Sequence, residues 1–265
     1  MMNKTSTIAS ARHRKTAARR ARSPGRPDAA VLDRATILRE ALALIDARGV
    51  DAFNMRDLAK ALGVAPGAVY WHVASRVELV SGVVALAMND FARIDAGDRW
   101  QVRLRAILRQ FRTLLRRHPG VAPLVANQLV TNLDVDRRRL DQIVAVLEDA
   151  RFSGGGLVDA YNVVVAAMCG FATLELSSMP ADDVDDWQAA CRRAIDAIDS
   201  ARFPSLGRHV PALRNNAFML RWSSGIDKPL DSSFEAWLDV IVGGLEQRAA
   251  ASVTSKRRSR RADAT

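Results

Sequence analysis

Apolar residues recur along this chain at intervals of three and four, and the pattern predicts one helix after another. Ile37, Ala41, Leu44 and Ile45 form the first stripe, with Asp33 placed to cap it and Ala47-Arg48-Gly49 to stop it. Met55, Leu58, Ala59 and Leu62 line one side of a two-turn helix that Asn54 caps, Asp57 supports and Gly63 ends. Ser75-Arg76-Val77-Glu78 is an S-x-x-E capping box opening a helix whose Val80, Val84, Ala87 and Phe91 are expected to face inward. A polar break follows at 95–98. Leu104, Ile107, Leu108, Phe111 and Leu115 then mark a helix stopped by His118-Pro119-Gly120, and Leu140, Ile143, Val144 and Leu147 mark one stopped by the glycines of 153–156. Residues 157–178 read as an apolar helix and 183–201 as a helix with an acidic start, whereas 204–231, rich in Pro, Gly and Asn, has no period. Phe234, Trp237, Leu238, Ile241, Val242 and Leu245 mark the last helix. No β pattern and no internal repeat is visible. The expected fold class is all-α, divided as 1–30, 31–94, 98–250 and 251–265.

Composition changes this picture in one respect. The formal net charge of +10 is not spread over the body. Residues 1–26 hold eight Lys/Arg and no acid, and 256–265 hold five bases against Asp263, which leaves 27–255 at a net −2. Two basic, disordered arms on a near-neutral body are expected, and such blocks favour polyanions when they are not simply solubilising. The first 27 residues also have the make-up of an organellar transit peptide, without the apolar core of a secretory signal. The two cysteines, Cys169 and Cys191, have no His or Cys at metal spacing, which points to a reducing, cytoplasmic setting. The apolar stretch 160–174 would extend only about 22 Å as a helix against a roughly 30 Å hydrocarbon core, so a core helix is expected and no membrane partner.

Residues 54–73 have the proportions of a helix-turn-helix, with the helices at 33–48 and 76–94 as support. Pro66 suits the first position of the second helix, where its missing N–H costs nothing. Gly67 there costs about 1 kcal/mol relative to Ala, which suggests either a backbone pressed against a partner or a turn that happens to be glycine-rich. Taken singly, Tyr70 and Trp71 are equally good core aromatics and His72 a structural histidine.

The residues "ALALIDARGVDAFNMRDLAKALGVAPGAVYWHVASRVEL" resemble the DNA-binding domain of the tetracycline-repressor (TetR) family of bacterial regulators. The resemblance implies that Tyr70 and His72 bond phosphates, that Trp71 packs beside the sugar-phosphate backbone, and that Arg76 meets another phosphate. It implies a base contact from Arg56 and base-facing places for Pro66, Gly67 and Ala68. Two departures stand out: Ala65 offers no side-chain cap where relatives carry Ser or Thr, and no base-facing position of the second helix has a hydrogen-bonding side chain. Direct readout should therefore rest on Arg56 and on DNA shape. Arg26, within Ser23-Pro24-Gly25-Arg26-Pro27, resembles a minor-groove hook.

For the remainder the family implies a helical effector-binding domain and a homodimer built on 157–178 and 232–250. Candidate effector-lining residues are Phe111, Gln128, Asn132, Asn162, Met168 and Trp187, each equally well a core residue. His118 reads as a partner for a helix C-terminus rather than a metal ligand. The segment 204–231 either covers the pocket or is irregular. The implied function is a regulator of transcription, a repressor by family habit, that binds double-stranded operator DNA and answers a small-molecule effector as inducer or co-repressor. No cofactor and no metal is expected. No catalytic motif is present, so an enzyme is not expected, and a non-specific, nucleoid-type binder driven by the basic arms is the rival reading.

Overall fold

The computed structural model describes residues 32–94, 97–125, 137–177 and 183–262, with 252–262 as backbone. Every regular element among the described residues is helical. A small head comprises α1 (Arg34–Arg48), α2 (Met55–Ala61), α3 (Pro66–Tyr70) and α4 (Arg76–Ala87). The larger part comprises α5 (Trp100–Arg117), a 3₁₀ turn (Pro119–Val121), α6 (Arg137–Asp149), α7 (Gly155–Glu175), α8 (Val184–Asp196), α9 (Pro204–Leu213) and α10 (Asp231–Ala262).

Local chemistry sets the head's boundaries. Asp33 Oδ1 accepts from the Thr36 N–H at 2.7 Å, and that backbone donor holds the Asp33 carboxyl below its ordinary range. Asn54 Oδ1 accepts from the Asp57 N–H at 2.9 Å while Asn54 Nδ2 donates to the Asp57 carboxylate at 3.0 Å, so the shorter acid still closes the box through the cap's own side chain. Ser75 Oγ accepts from Glu78 N–H, and Glu78 reaches back to the N–H of Ala74 at 2.8 Å. Gly63 has a φ of +67°, the left-handed value that lets the chain reverse after α2. α1 lies against α4 and the 3₁₀ turn, and this double contact explains why Leu38 and Leu42 are buried beside the expected Ile37, Ala41 and Ile45, while Leu44 is only half-buried.

In the larger part α5 is the central element, packed by α6, α7 and α10. Its Leu104, Ile107, Leu108, Phe111 and Leu115 are all buried, as their spacing requires. α10 runs antiparallel to it. Gln101 bonds Glu246, Arg105 pairs with Asp239, Arg109 with Glu235, and Arg112 and Arg116 with Asp231. Arg109 holds the Glu235 carboxyl below its ordinary range through hydrogen bonding. Deeper in, Glu175 at the end of α7 takes two bonds from Arg112, at 2.7 and 2.6 Å, and one from the N–H of Leu230 at 2.8 Å.

Four expectations are revised. The segment 204–231 contains α9, whose half-buried Leu206, Val210 and Leu213 recur at i, i+4 and i+7 but are interleaved with Gly207 and Pro211, which read as breakers. Its remainder is ordered by side chains: Arg221 donates to the carbonyls of Ser223, Ser224 and Lys228, and Asn215 Oδ1 accepts from the N–H of Trp222 and Ser223. Phe91 falls beyond the end of α4 and is half-buried, with the Arg139 guanidinium 4.7 Å from its ring centre. The apolar helix α7 has 21 residues, about 31 Å at the helical rise, so length no longer argues against a span. What it does here is pack against α5, α6 and α10 and carry the Glu175–Arg112 pair. Finally, the backbone of 251–262 is not irregular: it continues α10, through strong helix formers at 249–251 and with no Gly or Pro to stop it.

Candidate nucleic-acid interface

Two short helices cannot hold each other in place without anchors on both. Leu58 and Ala59 of α2, Val69 of α3 and Val73 just after it are buried against the head, and they fix the α2–turn–α3 angle. With Val69 and Val73 turned inward, the three residues between them turn out. Trp71 is 89% exposed and Tyr70 48%, and His72 is exposed as well. This disposes of the core-aromatic alternative: a packing role would have buried these rings.

Arg56, on the first turn of α2, is exposed, as are Pro66 and Gly67, and Ala68 is half-exposed. An added Cβ at Gly67 meets nothing within 4 Å, so the chain itself imposes no need for glycine there. Arg76 is exposed at the start of α4 and donates to the Val50 carbonyl at 3.3 Å, which steadies its guanidinium. Ala65 has the extended cap geometry (φ −68°, ψ 145°) with no side-chain bond. Ala65→Ser is expected to stabilise the protein by about 1 kcal/mol in urea unfolding, because the geometry is already that of a hydroxyl cap. No gain would mean that α3 is held by Val69 and Val73 alone.

A feature that the spacing did not announce joins the head to the larger part. His118 Nδ1 lies 2.7 Å from Asp46 Oδ2 of α1, across 72 residues of sequence. Beside it, a Cβ on Gly120 would overlap the Ile45 carbonyl oxygen, so the 3₁₀ turn is seated directly on the α1 backbone. His118 therefore ties two elements together rather than serving only its own helix end. Nothing local in the sequence could reveal such a pair.

The effector-lining candidates on the described residues differ in burial. Phe111 and Met168 are buried in the core, Trp187 is half-buried, and Asn162 is exposed on α7. Gln128, Asn132 and Arg26 lie outside the described residues. Two open grooves, of about 450 and 280 Å³, run between α5 and α10, and charged side chains such as Arg109, Arg116 and Glu246 line them. A cluster the sequence reading missed centres on Phe171, with the rings of Phe218, Phe234 and Trp237 at 5.2, 5.3 and 5.6 Å. Burial pushes the Cys169 thiol up to about 11, so it stays protonated at neutral pH and is a poor nucleophile.

An exposed helix-turn-helix on a larger all-helical body defines a class, the two-part helical DNA-binding regulators. Comparison with known proteins narrows this. A model for "Bacterial regulatory proteins, tetR family" matches residues 37–83, and one for "Tetracyclin repressor-like, C-terminal domain" matches 95–249. The chain is 29% identical over 231 residues to the class A tetracycline repressor protein from transposon 1721 of Escherichia coli, covering 80% of this chain and 90% of that one. Its fold is similar to that of a possible TetR family transcriptional regulator from Streptomyces coelicolor A3(2), with a TM-score of 0.63, 24% identity, and coverage of 81% and 99%. It is also similar to BioQ bound to its natural double-stranded DNA operator, with a TM-score of 0.50, 29% identity, and coverage of 55% and 88%. The protein belongs to the tetracycline-repressor family of bacterial transcription regulators, a family of DNA-binding proteins rather than enzymes.

Proposed function

We propose that the protein is a repressor that binds a palindromic operator as a homodimer and is released from it by a small-molecule inducer, in the cytoplasm. The observation that carries this reading is the exposed Tyr70-Trp71-His72 at the end of a rigidly anchored α3. In it Tyr70, His72 and Arg76 bond phosphates, Trp71 packs along the sugar-phosphate backbone, Arg56 reads a base edge, and Pro66, Gly67 and Ala68 let the α3 backbone approach the bases. Arg26 is proposed as a minor-groove contact. Gly67 is exposed with nothing of the chain within 4 Å of an added Cβ, which leaves its backbone open to close approach by a partner.

Homodimerisation is supported by apolar groups left exposed on α7 (Val158, Val163, Leu174) and α10 (Val240). A two-fold dimer presents two α3 helices to half-sites about one turn apart, roughly 34–36 Å. An effector that favours another separation lowers DNA affinity, and DNA lowers effector affinity by the same factor. Phe111 and Met168, the buried members of the candidate set, are the effector contacts proposed on the described side of the fold.

Selection from random duplexes at physiological salt tests the reading. A palindrome with half-sites a turn apart is expected, and no enrichment would leave a non-specific, arm-driven binder. On the selected site, Arg56→Ala is expected to lose about 1–3 kcal/mol of discrimination at one guanine. Equal weakening on all sites would instead make Arg56 a phosphate contact.

A further inference from the structure

The charge ladder between α5 and α10 fixes which way the last helix points. The head docks at the C-terminal end of α5, through His118–Asp46 and Gly120, and α10 begins at that same end, where Asp231 meets Arg112 and Arg116. Because α10 is antiparallel, it reaches Gln101 at the other end of α5 by Glu246 and then continues. From Asp231 to Arg261 the helix extends about 45 Å, and from Glu246 to Arg261 about 22 Å. Lys256, Arg257, Arg258, Arg260 and Arg261 are thus carried on a helix that leaves the body at the pole opposite the helix-turn-helix. No acid occurs from 247 to 262.

Residues 256–261 set five like charges within less than two turns of one helical backbone, an arrangement that self-repulsion opposes. Cations favour a helix C-terminus, but that gain is confined to the last turn. The five bases fall within about 7.5 Å of helix axis, close to one charge per 1.5 Å. A DNA duplex presents one phosphate per roughly 1.7 Å. The match in linear charge density, and relief of the self-repulsion, single out this polyanion. The operator under the head is out of reach at this distance.

We propose that the C-terminal end of α10 is a second, sequence-independent DNA contact, which holds another duplex segment at the pole away from the operator-reading head. The protein then bridges two stretches of DNA. This inference is separate from the operator reading, and it stands whether the head binds one sequence or many.

The test places the full-length protein between a random-sequence duplex on beads and a fluorescent duplex in solution, at moderate salt. The wild type is expected to retain the second duplex. A variant carrying K256Q, R257Q, R258Q, R260Q and R261Q is expected to lose that retention by about tenfold or more, while its own loading on the beads changes by less than about twofold. Bridging that survives in the variant, or a wild type that never bridges, would overturn the proposal. So would bead loading that falls in step with bridging, since the five bases would then serve the first duplex. Sedimentation with phosphatidylserine vesicles, lost in the same variant and without duplex bridging, would assign the segment to a membrane surface and equally overturn it. A Tyr70→Ala and His72→Ala double variant keeps the two readings apart: it should abolish selection of an operator, and leave the fluorescent duplex held by α10 on any protein still loaded.

Discussion

Glu175→Ala is expected to cost about 3–5 kcal/mol of stability, the largest loss of any single substitution proposed for this chain. The side chain of Glu175 has no solvent exposure, and it is the anionic partner of an Arg112 that is itself nearly buried. Removing the acid leaves a guanidinium in a low-dielectric site, with Asp231, mostly in solvent, as its remaining partner. It also strips the Leu230 N–H of its acceptor, and an orphaned buried donor costs about 1–3 kcal/mol by itself. The Phe234 ring, 4.5 Å from the Arg112 carbon, offsets part of this but cannot replace a carboxylate. Against a total stability of about 5–15 kcal/mol the loss is large, and urea unfolding at fixed protomer concentration will read it. Glu175→Gln keeps an acceptor and should fall between. A loss below about 1 kcal/mol for the alanine would mean that water reaches the pair.

Gly120→Ala is the second. Its Cβ would overlap the Ile45 carbonyl oxygen and stand 2.8 Å from the Ile45 carbonyl carbon, and neither is a side-chain tip that could swing away. Either α1 or the 3₁₀ turn must shift. Overpacking of this kind costs about 1–3 kcal/mol. The shift also lengthens the His118–Asp46 contact, so His118→Ala, which removes that contact without a clash, is the control. If the joint transmits effector state to the head, Gly120→Ala should change DNA affinity beyond what a matched loss of stability produces in the His118→Ala protein. Equal DNA affinities in the two variants at equal stability would make the joint a passive seat.

What the sequence disclosed and what it hid divide along physical lines. Caps are local, and Asp33, Asn54 and Ser75 were legible because a side chain and an N–H three residues on suffice to define them. The stripe of α5 was legible because one face meets the core. α1 was half legible, since two neighbours bury two faces and a single stripe undercounts. α9 was illegible for another reason: Pro204, Gly207 and Pro211 disguise its Leu206, Val210, Leu213 stripe. Glu175, an acid closing an apolar run, reads as the polar end of a helix until Arg112 is seen to approach from 63 residues away. At the candidate interface the motif pointed to Tyr70, Trp71 and His72, and burial of Val69 and Val73 supplied the reason they face outward. The effector side remained opaque because Phe111, Met168 and Asn162 are ordinary helix residues whose spacing suits a core or a surface equally.

The rungs Arg105–Asp239 and Arg109–Glu235 stand four residues apart on both helices, and this has a consequence for assembly of the fold. Sliding α10 by one turn toward its own N-terminus would set Asp239 opposite Arg109 and leave Asp231 near Arg116. The apolar series Phe234, Leu238, Val242 repeats at the same interval. Neither series, then, distinguishes the native alignment from its neighbour: both behave as scales with identical graduations. The asymmetric marks are the Gln101–Glu246 bond, seven residues beyond Asp239, the Phe171 contacts with Phe234 and Trp237, and above all Glu175, which engages Arg112 and the Leu230 N–H together. Disabling that key should leave a chain that is still helical and still collapsed, but divided between two indexings of its last helix.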